Sequence, residues 1–135
     1  KIDHAVMLNL RLYPDMLNFT KQIQIAADFA KGAAARLAGV EVPKYEDTET
    51  SFADLKARIQ KTIAFVQTFT PAQIDGSEER DITLTVGGNK LELKGQPYLL
   101  HMAMPNFYFH ATTAYAILRS NGVEIGKRDF VPTPA

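Results

Sequence analysis

The amino-acid sequence predicts an all-α fold, an up-and-down four-helix bundle with one inserted β-hairpin. Three observations predict it. Apolar residues recur at alternating three- and four-residue spacings through three long segments. Gly, Pro and polar clusters separate those segments. A single stretch, residues 82–93, switches to alternation with period two. The 135 residues make one domain, spanning 1–135, large enough for a core and too small for two.

Residues 3–12 read as a short helical turn or two, with Asp3 a candidate N-cap. The first long helix is expected to start near Pro14, a favoured first-turn residue, with Asp15 suiting the positive end of the dipole. Its seam runs Met16, Phe19, Ile23, Ala26, Ala30, Ala33, Leu37, three heptads of a/d spacing. The second half of that seam is nearly all alanine, so a neighbouring helix can approach closely. Gly39 supplies the C-cap, and Pro43 follows.

Residues 40–50 form a polar, acidic loop. Ser51 then caps a second helix, with Asp54 in the capping-box position. Phe52, Leu55, Ile59, Thr62, Val66 and Phe69 repeat the spacing, Ile63 widens the stripe, and Thr70-Pro71 closes the helix. In the hairpin, Gly88-Asn89 is the expected two-residue turn, placing Val86 opposite Leu91 and Leu84 opposite Leu93. A lone hairpin is marginal in water, so it must lie on the helices. The third long helix runs from about Gln96 to a stop at Asn121-Gly122. Leu99, Met102, Asn106, Phe109, Thr113 and Ala116 form its expected seam. Pro105 cannot donate to the His101 carbonyl and should kink it.

Three heptad-patterned helices imply a bundle of four. The chain starts at Lys1 without a methionine, and the fourth helix is expected upstream of Lys1 rather than from a second subunit.

Composition narrows the function classes. Fifteen basic residues balance fifteen acidic ones without clustering, which argues against a nucleic-acid partner. No apolar run suits a membrane span or a signal peptide, so the expected location is cytoplasmic. The absence of cysteine removes disulfides, thiolate metal sites and cysteine nucleophiles. Gly87-Gly88 leads into Asn89-Lys90-Leu91 and not into a phosphate-binding Gly-Lys-Ser/Thr. No serine sits in a Gly-x-Ser-x-Gly elbow. Arg119, Lys127, Arg128 and Asp129 read as charges complementing a helix end beside a solvated tail.

The segment Pro105–Phe130, PNFYFHATTAYAILRSNGVEIGKRDF, is the most informative. Asn106 and His110 are four apart and share one helix face, the spacing at which a helix presents two metal ligands; Thr113 lies close by. The competing reading is a satisfied core cluster, Asn to His and Thr to a backbone carbonyl, and buried polar groups are more often of that kind. Gln24 and Asp28 on the first long helix are placed to face this pair and offer an oxygen. His101 falls on the opposite side of the helix from His110, and His4 is expected in solvent.

Asn106-x-x-x-His110, the threonines at 112 and 113, Ile117-Leu118-Arg119 and Gly122-Val123 resemble the last helix of the DinB/YfiT-like superfamily of four-helix bundles, which includes metalloenzymes. DFAKGAAARLAGVEVP at 28–43, QPYLLHMAMPNFYFH at 96–110 and NGVEIGKRDF at 121–130 resemble an uncharacterised bacterial branch of it. The resemblance covers nearly the whole chain and implies a first helix upstream of Lys1. It also implies a divalent metal, nickel or zinc, held by His-x-x-x-His and a third histidine. Characterised relatives include thiol transferases and thiol-dependent isomerases.

His110 matches the second histidine, Asn106 stands where the first would be, and Gln24 or Asp28 stands nearest to the third. An amide is a poor ligand beside imidazole, so no resident cofactor is expected. Two functions follow. One is a degenerate-site bundle that binds a small molecule or pairs as a homodimer, with Asn106, His110 and Thr113 flooring a polar pocket. The alternative is a weakly metal-dependent thiol transferase or hydrolase using His110, Asn106, Gln24 or Asp28, and waters.

Overall fold

A computed structural model describes residues 2–134. A short helix α1 (His4–Leu8) is followed by long helices α2 (Phe19–Ala38) and α3 (Phe52–Gln67), then a single turn α4 (Pro71–Ile74). Strands β1 (Asp81–Val86) and β2 (Asn89–Lys94) lead into α5 (Gly95–Tyr98), a π turn over Leu99–Ala103, α6 (Met104–Ser120) and a last turn α7 (Lys127–Phe130). The fold is mostly helical, as expected, with three long helices among the described residues.

Local chemistry sets most helix ends. Asp3 caps α1 by accepting from the Ala5 amide at 2.7 Å. Helix α2 starts five residues later than Pro14 suggests, because Asn18 accepts from the Lys21 amide at 3.0 Å and the chain before it is a turn closed by Met16 N–H on the Tyr13 carbonyl. Gly39, at φ +72°, ends it. Ser51 caps α3 through the Asp54 amide, while the Asp54 carboxylate accepts from the Thr50 amide, one residue outside the expected capping box. Thr70-Pro71 does not close α3, which ends at Gln67; it opens α4 instead, with Pro71 in the first turn.

The expected up-and-down order fails between α2 and α3. Phe19 meets Phe52 at 5.7 Å, Asp28 pairs with Arg58, and Lys31 and Lys61 both lie over the Tyr45 ring, at 4.0 and 4.1 Å from its centre. These pairs rise together along both helices, so α2 and α3 are parallel. The continuous helical run from α5 through the π turn to α6 is antiparallel to α2, since Gln22 meets His110 and Arg36 meets Tyr98.

Parallel neighbours need a connection that returns along their length, and residues 40–50 are that connection. Arg58, buried, donates from one amino group to the Glu46 carbonyl at 3.0 Å and to Glu49 at 2.9 Å, with Asp47 at 3.0 Å, and from the other to Asp28 at 2.9 Å. Burial alone would lower its pKa, but Asp28 and Glu49 more than offset this and raise it. Asp47 is held below the ordinary carboxylate value: burial pushes upward, and the hydrogen bonds and charges of Lys21 and Arg58 prevail. Such a depressed carboxylate contributes stability above its unfolded pKa and loses it as pH falls through the folded one.

The hairpin differs in register from the expectation. Gly87 and Gly88 have φ of +56° and +80°, the two positive values that a type I′ turn requires. The turn is therefore Gly87-Gly88, with Leu84 opposite Leu91 and Ile82 opposite Leu93. The shift is two residues, so the apolar faces are unchanged. Ile82 and Leu84 pack with Leu37, Tyr98 and Ala103 against the end of α2.

No break occurs at Pro105; the turn before it widens instead. The Met104 amide donates to the Leu99 carbonyl five residues back, and the helix continues. The extra residue rotates everything after it by roughly 100°. Phe109, expected on the seam, is 56% exposed, and Ala103, His110, Ala114 and Ile117 are buried in its place.

Two substitutions probe this layout. A Cβ on Gly95 would lie 1.9 Å from the Ser77 carbonyl oxygen, so the backbone itself must move. Gly95→Ala is expected to cost about 3 kcal/mol in chemical denaturation, against no change for Gly126→Ala, whose Cβ meets nothing within 4 Å. Arg58→Met is expected to cost about 2 kcal/mol and to speed amide exchange across residues 40–50; an unchanged exchange pattern there would show that the loop is held by something else.

Candidate functional site

His110 is buried between α6 and α2. Its Nδ1 lies 2.7 Å from Oε1 of Gln22, a side chain only 1% exposed. The Gln22 amide nitrogen donates to the Leu17 carbonyl at 3.1 Å, which leaves its oxygen as the acceptor facing the imidazole. Nδ1 therefore carries the proton and Nε2 the lone pair. Phe29 stacks along the ring at 6.3 Å and Phe109 meets it edge-on at 5.0 Å. Desolvation holds the His110 pKa below the ordinary 6.5.

The other expected site residues do not converge on it. Asn106 donates to the Met102 carbonyl at 2.8 Å and contacts the Met102 sulfur at 3.2 Å. Thr113 donates to the Phe109 carbonyl at 2.8 Å. Each thus satisfies the carbonyl one turn back on its own helix. Gln24 and Asp28 lie on a different face of α2: Gln24 donates to Glu49 at 2.8 Å and Asp28 accepts from Arg58 and Lys31. Neither faces His110. His101 is exposed, as expected. His4 is exposed too, with its ring against Phe52 at 5.2 Å.

Gln22 is not among the residues expected at the site. It belongs to a second stripe on α2, Gln22, Ala26, Phe29, Ala33, which repeats at four, seven and eleven residues beside the stripe through Phe19 and Ile23. That pattern was legible, but which stripe meets α6 depends on packing.

A metal does not fit these donors. Among the described residues no three His, Asp or Glu side chains come together in a way that could hold an ion. One imidazole nitrogen of His110 is committed to Gln22, and Asn106 turns its amide hydrogen, not a lone pair, to its carbonyl partner.

An almost wholly apolar groove lies elsewhere. It has a volume of about 520 Å³ and runs between α3 and α6 on the surface of α2, with α7 at one end. Ala26, Ala27 and Ala30 form its floor. Ile59, Ile63 and Val66 line the α3 wall, and Phe107, Ala111 and Leu118 line the α6 wall. Asn106, His110, Thr113, Gln24 and Asp28 are absent from it.

Parallel α2 and α3, antiparallel α6 and the inserted two-stranded hairpin define a mostly helical protein. A crystal structure of a DinB family member protein from Shewanella denitrificans is similar, with a TM-score of 0.85 and 40% identity over 98% of this chain and 77% of that one. The chain belongs to the family of the domain of unknown function DUF1993, whose model matches residues 1–131. No curated protein matches it. No helix among the described residues is long and apolar enough to cross a membrane.

The imidazole should behave as a buried neutral group. In a histidine-resolved NMR titration, His110 is expected to take its proton below pH 6.5, because the folded state resists the charge. The unfolded chain then binds more protons as pH falls through 6.5, so stability declines from there down to the folded pKa. A His110→Gln variant should lose that part of the slope in thermal melts at pH 5–7; a slope that persists would place it on another group.

Proposed function

We propose that this DUF1993 protein is a binding module that works without a resident metal, and that its working surface is the apolar groove rather than the His110 region. The groove carries the reading. Ile59, Ile63 and Val66 remain 36%, 50% and 36% exposed on its rim, although the sequence gives them the spacing of a buried seam. Completing the burial of such a side chain is worth roughly 1 kcal/mol each. A partner that sheds water there gains this without meeting a polar group that must be desolvated, since the lining is almost wholly carbon. Its chemistry is therefore apolar, a small molecule or the greasy face of a helix.

The alternative, a metal-dependent thiol transferase or hydrolase, needs a donor set that His110 and Asn106 do not supply. A metal-free role also accounts for the Gln22–His110 bond, which keeps the imidazole in one tautomer inside the core.

Two measurements test the proposal on chain 1–135. Metal analysis of untagged protein incubated with excess nickel or zinc is expected to find no stoichiometric ion; one that is present and lost in His110→Ala would sink the metal-free reading. The dye anilinonaphthalene sulfonate is expected to bind saturably, with affinity reduced about tenfold in Ala30→Phe, which fills the groove floor. Equal binding by that variant would locate the apolar surface elsewhere.

A further inference from the structure

We infer that the outward face of the helical run from α5 to α6 is a self-association surface, on which a second copy packs antiparallel about a two-fold axis between Pro105 and Tyr108. The inference is independent of the groove, which lies along another side of α6.

The sequence marks this run out. From Gly95 to Leu118 no Asp, Glu, Lys or Arg occurs, in a chain that is 22% charged. Helices α2 and α3 differ, since Lys21, Lys56 and Lys61 keep their outer sides charged and exposed. A helix with no charge around its whole circumference has the pattern of one that is covered on every side.

The fold covers the side toward α2, where His110, Ala114 and Ile117 are buried, and Phe107, Ala111 and Leu118 line the groove. The remaining side is bare. Leu100, Met104, Tyr108 and Phe109 are 46%, 41%, 52% and 56% exposed, and Pro105 and Thr112 among them are exposed as well. Leu100, Met104, Tyr108 and Thr112 make a ridge at four-residue spacing, with Pro105 and Phe109 beside it. The π turn that carried His110 into the core thus carried an aromatic ring into this face.

Area and charge choose the occupant. The four large side chains offer roughly 100 Å² each. With the residues among them, two copies would bury on the order of 1,000 Å², the lower bound of a specific interface. A foreign protein surface brings charged side chains, which this face would strip of water without pairing. The same face on a second copy brings none. It also has the symmetry that a two-fold contact needs. A ridge laid antiparallel on itself about the point between Pro105 and Tyr108 sets Met104 against Phe109 near the middle, a thioether on an aromatic ring. The polar His101 and Thr112 then meet at either end, an apolar centre within a polar rim.

Sedimentation velocity on chain 1–135 should find a monomer–dimer equilibrium with a Kd on the order of 10 μM, and a monomer at every concentration up to about 1 mM overturns the inference. Tyr108→Glu and Tyr108→Lys should each weaken the dimer at least about thirtyfold. An equimolar mixture of the two should restore it, because the two-fold axis brings position 108 of one copy close to position 108 of the other. Variants that dimerise like the parent, or a mixture no tighter than either variant alone, overturn the inference. Ala30→Phe, which fills the groove floor, should leave the Kd unchanged; loss of the dimer there would assign self-association to the groove and overturn the inference too. Where a Tyr108 variant fails to fold, amide NMR of the unmodified chain replaces it. Resonances that shift with protein concentration should cluster at residues 100–112, and shifts clustered elsewhere overturn the inference.

Discussion

The guanidinium of Arg58, enclosed by Asp28, Asp47, Glu49 and the Glu46 carbonyl, is what lets two long helices lie side by side in the same direction. Antiparallel helices can be joined by a short turn. Parallel ones need a strand of chain that returns the full length, and such a strand has its own backbone groups to satisfy and little apolar surface to bury. Residues 40–50 are acidic for that reason. Their carboxylates and one carbonyl converge on a single buried cation, Gln24 joins at Glu49, and the Tyr45 ring holds both Lys31 and Lys61. The loop thereby becomes part of the α2–α3 interface. Once α2 and α3 are parallel, the third helix must find a place on the other flank of α2, and a groove opens between α3 and α6.

Gln24 and Asp28 show how that constraint redirects a sequence reading. Their spacing places them on one face of α2, as expected, but that face is claimed by Arg58 and the returning loop. The face toward α6 belongs to Gln22 and Phe29. Periodicity says which residues share a face and is silent on which neighbour the face meets. The same limit applies to the last helix. Past the π turn Phe109 and Ala116 yield their expected places to the next residues, His110 and Ile117, since an inserted residue changes phase without changing period, while Thr113 stays buried beside Ala114. His110 entered the core by that displacement, while Phe109 left it.

What was legible follows from how local the cause is. Asp3, Ser51, Gly39 and the Asn121-Gly122 stop act within a turn of chain, and the structure has them all in place. The hairpin strands were legible through alternation. Its turn was not, because Gly87-Gly88 and Gly88-Asn89 both satisfy local rules and only the first supplies two glycines for two positive φ values. In the site, Asn106 and Thr113 were read as a converging polar group, yet each has a nearer partner in its own helix. A carbonyl four residues back is always within reach of a short polar side chain, whereas a cross-helix partner must be brought there by packing.

The Gln22–His110 bond is best understood through the alanines around it. A face of Ala26, Ala27, Ala30 and Ala33 lets another helix come close, but small side chains make a smooth surface along which a helix can slide with little change in contact. Something must set the axial position. The Gln22–His110 bond does so near one end of α2, and the Arg36 guanidinium bonding the Tyr98 hydroxyl at 3.1 Å does so near the other. Sliding the run from α5 to α6 by one residue would break both and leave a buried imidazole and a buried amide without partners, at about 1–3 kcal/mol for each group. A neutral histidine serves this purpose better than a charged one, because the core need not solvate it. The residue that looked like the remnant of a ligand set thus has a sufficient reason to be where it is: it fixes the register of the two helices that bear the groove.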